Sequence, residues 1–192
     1  MNELTALIII IILIMIISLN YQTHNSDVTY VKSNVDNKYY LVRNRKDKQE
    51  AADLIGQTAV NLKKLVNHLN KKYPKDPRSK RGMIKYNSEN ISESEPNTNY
   101  TSYSVNKGEK IVLCVRSKTS DQKLVKLNTL MFVALHELAH VISVTIGHNE
   151  EFWTNFKFLL EEAIEIGIYT KQDFKNKPER YCGTDITESP LD

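Results

Sequence analysis

Glycine and proline are scarce in this 192-residue chain, six and five residues respectively. No internal repeat is present, which excludes a stacked array of small units. A dominant charge of one sign is also missing. Lys and Arg number 26 against 23 Asp and Glu, a net charge of +3 with the signs interspersed. That balance does not indicate nucleic acid or an acidic lipid surface as the main partner. Only two cysteines occur, Cys114 and Cys182. They agree with a reducing compartment without demanding one, and Cys114 reads as a buried small apolar residue. A lumenal domain would instead predict a Cys114–Cys182 bridge and use of the sequons at Asn90 and Asn99.

One long apolar run stands out, Leu4–Leu19, polar only at Thr5 and Ser18. As a helix it would rise about 24 Å, and flanking Met1 and Tyr21 extend it towards a bilayer core of about 30 Å. A cleaved signal is not favoured, because no Lys or Arg precedes the run and no small-residue cleavage site follows. Residues 1–21 are therefore expected to form a single-pass anchor, in the membrane through residues 4–19. Lys32, Lys38, Arg43, Arg45, Lys46 and Lys48 follow it, which by the positive-inside rule predicts a cytoplasmic domain. Residues 22–37 are polar and read as a linker. The remaining 38–192 is long enough for one domain with a sizeable core.

The chemistry concentrates at His136-Glu137-Leu138-Ala139-His140, an H-E-x-x-H motif. On a helix, histidines at i and i+4 project from one face and can share a metal ion. Glu137 then serves as base towards a water held there. Leu124, Leu127, Leu130 and Ala134 lead into the motif at helical spacing, which predicts a helix over about Asp121–Val144. A catalytic zinc site takes a third protein ligand and keeps one position open. His148, after Gly147 ends the helix and turns the chain, is the leading candidate. Glu161 or Glu162 are alternatives, though they fall off the apolar stripe of a predicted helix over Glu150–Ile168. Asp185 is a further one.

The order H-E-L-A-H, a spacer, Gly147-His148, then Phe152-Trp153 resembles the WLM/SprT-like group of small zincin metallopeptidases. The resemblance implies His136, His140 and His148 as zinc ligands, Glu137 as the catalytic base, and Phe152-Trp153 as a packing anchor behind the ligand turn. It also implies that a strand ahead of the motif helix pairs with an extended substrate. The seven residues between His140 and His148 depart from the family pattern, where WLM-type members carry five and SprT-type members more. Membrane-tethered forms resemble proteins of large DNA viruses.

Around the motif, Asp47–Lys72 shows clear helical periodicity, with His68 as a surface or packing residue. Lys38–Val42 is a candidate strand, and residues 74–98 read as loop. Tyr100–Val105 and Lys110–Arg116 read as a hairpin joined by Asn106-Lys107-Gly108-Glu109. Tyr181 is a candidate oxyanion donor, with packing as its bland alternative, and Cys182 a remote candidate ligand. The expected fold is α+β: a small antiparallel sheet packed on the active-site helix and flanking helices, behind one transmembrane helix. The expected function is a membrane-tethered zinc (Zn²⁺) metallopeptidase, with Glu137 activating a zinc-bound water against a protein or peptide substrate. The alternative is a catalytically silent, zinc-stapled membrane scaffold or assembly protein of the same fold.

Overall fold

The computed structural model describes residues 3–24, 27–95, 101–119 and 121–192, without the side chains of residues 3, 6 and 19–24. Among the described residues, thirteen elements follow in order. They are α1 (Glu3–His24), β1 (Val28–Lys32), β2 (Tyr39–Arg43), α2 (Lys48–Lys72), α3 (Pro77–Lys85), a 3-10 turn (Ser88–Asn90), β3 (Ile91–Glu93), β4 (Tyr103–Val105), β5 (Lys110–Leu113), α4 (Leu127–Ile142), α5 (Glu150–Glu165), β6 (Glu179–Tyr181) and β7 (Thr184–Ile186).

The central helices form where apolar spacing demands them. The buried stripe of α2 runs through Ala52, Ile55, Ala59, Leu62, Val66 and Leu69, and Tyr73-Pro74 stops it. Gly56 on this helix lets the β1–β2 hairpin approach, since a Cβ there would stand 2.3 Å from Ser33 Oγ. Helix α4 is apolar on nearly every side and buried between α2, α3, α5 and the sheet, the pattern of a core helix. It begins at Leu127, later than the periodicity predicts. Leu124 is drawn instead into a bridge with Arg116, and Val125 N–H donates to Val115 O.

The central sheet has the order β3-β5-β4, with β3 parallel and β4 antiparallel to β5. It is therefore mixed, where an antiparallel sheet was expected. The parallel partner comes from residues 74–98, read from sequence as loop. That segment also holds α3, capped by Asp76 with Pro77 in its first turn. Its high polarity masked short elements that are held by tertiary packing. The expected linker likewise contains β1, which pairs with β2 over Val28↔Arg43 to Lys32↔Tyr39.

A buried charge network joins these layers. Glu93 accepts from Arg116 Nε at 2.7 Å and from the Arg43 N–H at 2.7 Å, and Arg116 also pairs with Asp47. Cys114 and Cys182 are joined by a disulfide, both about 1% exposed. The pair that the sequence left compatible with free thiols thus ties the C-terminal hairpin β6–β7 to the end of β5. Among the described residues, no helix is long and apolar enough to cross a membrane. Helix α1 spans 22 residues, Glu3–His24. Its large apolar side chains are exposed. Asn99 and Tyr100 lie outside the described residues, as does the Tyr21 side chain.

Candidate metal centre

His136 and His140 sit one turn apart on α4, so their rings leave the helix on the same face. Beyond the helix end, the chain runs through an exposed loop and returns His148 against them. Gly147 does not cap α4, which ends at Ile142 with Ser143 as its cap. It stands instead in the loop with φ +87°, where only a residue without a Cβ turns freely. Asn149 then starts α5 by accepting the Phe152 N–H at 3.1 Å.

The three imidazoles converge through one atom type. His140 Nε2 lies 3.1 Å from His148 Nε2, which lies 3.0 Å from His136 Nε2. Three nitrogens around a tetrahedral zinc, each at about 2.0–2.1 Å, would stand about 3.3 Å apart. Phe152 forms the floor: its ring stacks on His140 at 4.3 Å and meets His136 and His148 at 4.8 and 4.7 Å. Trp153 flanks His148 at 6.0 Å.

Electrostatics favour neutral, metal-ready rings. Burial, then the neighbouring histidines, pushes His136 down to about 3. Burial, then His148 and Lys107, pushes His140 down to about 4. Burial pushes Glu137 the other way, up to about 7, against hydrogen bonding from the Ser104 side chain and backbone. Glu137 Oε2 is buried and has no hydrogen-bond partner among the described residues. An orphaned carboxylate oxygen beside three convergent imidazole nitrogens is what a metal ion and a water would satisfy, so the donor set fits zinc.

These groups line a cavity of about 410 Å³, shared with Ser102, Ser104, Asn106 and Lys107. Strand β4, at the edge of the sheet, forms its wall. The sequence pointed to this hairpin as a whole. It did not single out Ser104 or Lys107, which no motif marks.

The other candidates lie elsewhere. Glu162 is bound by His68 at 2.8 Å, Tyr73 at 2.7 Å and Lys72 at 3.1 Å. Glu161 is exposed, and Asp185 on β7 pairs with Arg180 at 3.1 Å. Cys182 is held in the disulfide, which removes it as a ligand. Tyr181 is 2% exposed and does not line the cavity; its hydroxyl bonds Ser102 Oγ at 2.8 Å. Packing behind β4, rather than oxyanion stabilisation, is therefore its place.

An H-E-x-x-H helix with a third convergent histidine, on a mixed α+β fold with an edge strand beside it, defines a zincin-like protein. The chain belongs to the WLM domain family, whose model matches residues 35–191. Protein R325 of Acanthamoeba polyphaga mimivirus is 36% identical over 188 residues, 96% of this chain and 94% of its own. Protein 136R of Invertebrate iridescent virus 6 is 42% identical over 84 residues, 42% of this chain and 44% of its own. The crystal structure of a Wss1 mutant from Saccharomyces cerevisiae shares the fold. It has a TM-score of 0.50 at 21% identity, over 65% of this chain and 86% of that one.

Proposed function

We propose that this protein is a zinc-dependent metallopeptidase that hydrolyses peptide bonds in an extended protein or peptide substrate. The observation that carries the reading is the convergence of three Nε2 atoms beside the buried, unpartnered Oε2 of Glu137. His136, His140 and His148 would hold the zinc. When bound, zinc supplies Lewis-acid polarisation of the scissile carbonyl and makes water acidic enough to lose its proton near neutrality.

The chain's own groups do the rest. Glu137, raised towards neutrality by burial, takes a proton from the attacking water and passes it to the leaving amine. A carboxyl poised near the working pH suits both transfers. The substrate backbone lies along the edge of β4, adding a strand to the sheet and presenting its carbonyl to the cavity. Phe152 keeps the floor of the site dry.

We also propose that α1 tethers the domain to a membrane. Ile8 and Ile12 of α1 are each 48% exposed, and none of the described α1 side chains joins the core. Such an apolar surface needs a partner other than water. The Cys114–Cys182 bridge supports maturation of the domain in oxidising surroundings, opposite to the cytoplasmic side that the basic residues after the run favour.

The test is Glu137→Gln in the full chain, assayed on an unfolded generic protein substrate with bound zinc measured in parallel. Turnover is expected to fall by at least about 10²-fold with zinc retained. A variant with full activity overturns the mechanism. The silent-scaffold alternative would need a closed site, and both fourth ligands it could use are engaged elsewhere: Cys182 in the disulfide and Asp185 with Arg180.

A further inference from the structure

We propose that Lys107, in the turn after the substrate-edge strand, is a positioning residue for the third histidine, and that with Glu151 it clamps the loop that carries His148. The inference rests on the zinc reading above and extends it to groups outside the motif.

The two ends of the loop between α4 and α5 are held, Ser143 by Asn155 at 2.9 Å and His148 by Phe152, but its middle has little apolar cover. Val144 is 67% exposed and Ile146 88%, and a Cβ on Gly147 would meet nothing within 4 Å. Its apolar side chains therefore do not anchor it by burial. Seven residues separate His140 from His148, and each must be ordered at an entropic cost. Yet His148 Nε2 is held within 3.1 Å of both motif histidines.

What fixes the loop is polar and two-sided. From one side, Lys107 Nζ donates to the carbonyl of Ser143 at 3.1 Å and to that of Thr145. From the other, Glu151 accepts the N–H of Val144 at 2.8 Å and of Thr145 at 2.9 Å, and the Thr145 hydroxyl. A cation on the carbonyls and a carboxylate on the N–H groups meet on the Ser143–Val144 peptide and grip its neighbours with charge-assisted bonds. Thr145 Oγ1 then accepts from Asn149 Nδ2 at 2.7 Å, which passes the constraint to the residue after His148.

The base of the clamp is itself fixed. Asn106, Lys107 and Gly108 all have positive φ, at 46°, 58° and 105°. Two non-glycine residues in succession in the left-handed region persist only where the surroundings compel them. A Cβ on Gly108 would stand 2.9 Å from Lys85 O and 3.0 Å from Val141 Cγ1, so the turn is seated against α3 and α4. Lys107 and Asn106 also line the metal cavity. The turn thus ties the strand that receives substrate to the loop that supplies the third ligand.

The experiment measures Zn²⁺ affinity of the full chain by competition with a chromophoric chelator, beside the melting temperature of the metal-free protein. Lys107→Met keeps the stem and removes the ammonium. It should bind zinc about 10–100-fold more weakly, the range for groups that orient metal ligands, with the metal-free melting temperature unchanged. Lys107→Arg, which restores a donor to the carbonyls, should recover affinity. Should Lys107→Met fail to fold, Glu151→Gln attacks the clamp from its exposed side and should show the same loss. Wild-type affinity in the folded variant overturns the inference while leaving the zinc reading intact. A wild-type chain that binds no zinc overturns both.

Discussion

Among the described residues, two clusters offer three metal-type side chains within 4.8 Å of one another: His136, His140 and His148, and His68, Glu162 and Glu165. The second is already partnered from within. Lys72 donates to Glu162 at 3.1 Å and to Glu165 at 2.5 Å, and Tyr73 and His68 take the remaining lone pairs of Glu162. The first has no internal counter-charge, an aromatic floor and an open cavity. A set of ligand-type residues is left able to take a metal ion where the protein withholds partners from it. Where the protein supplies them, the same residue types make a structural clasp, here between α2 and α5.

The sharpest way to break this comparison is to remove one histidine from each cluster and count zinc by elemental analysis. His136→Ala should abolish stoichiometric binding. His68→Ala should leave one zinc per chain, and loss of metal from that variant would invert the assignment.

Next in size is the disulfide, which braces only the first region. Cys182 is joined to Cys114 beside the Tyr181–Ser102 contact behind β4, while the clasp has no such link. Cys182→Ser should cost about 2–4 kcal/mol of unfolding free energy, read by denaturant titration. A mobility shift on non-reducing gels, lost in the variant, should accompany it.

The smallest effect belongs to the clasp. Glu162→Gln leaves buried donors imperfectly met and should cost about 1–3 kcal/mol. Burial works against ionisation of Glu162, but Tyr73, His68 and Lys72 win and hold its carboxyl below the ordinary 4.5. A depressed carboxyl stabilises the fold above its unfolded value, and that contribution is lost as pH falls. The stability gap between wild type and Glu162→Gln should therefore be full above pH 5 and close progressively below about pH 4.5. A gap independent of pH would show that the ion pairs contribute nothing.

The motif, the helices α2, α4 and α5 and the hairpin β4–β5 were legible because each is written in local terms: apolar spacing, caps and turn residues. His148 was named as the leading third ligand from a helix end at Gly147; the structure ends α4 at Ile142 instead, and still brings the His148 ring to the two motif histidines. Less was legible where short elements depend on distant partners. The residues of β3 sit in a polar stretch and become a strand only beside β5. Arg116 pulled Leu124 into a bridge, which delayed the start of α4.

The sequence by itself determined that two histidines and a glutamate share one helix face, because a period of 3.6 residues requires it. It also determined which helices bury which stripes. Only the tertiary structure decided that Glu162 belongs to Lys72 and not to a metal, that Cys114 meets Cys182, and that Lys107 and Glu151 grip the loop before His148. Those are contacts between residues distant along the chain or across an irregular loop. No local propensity encodes them, and they exist only once the core has brought the elements together.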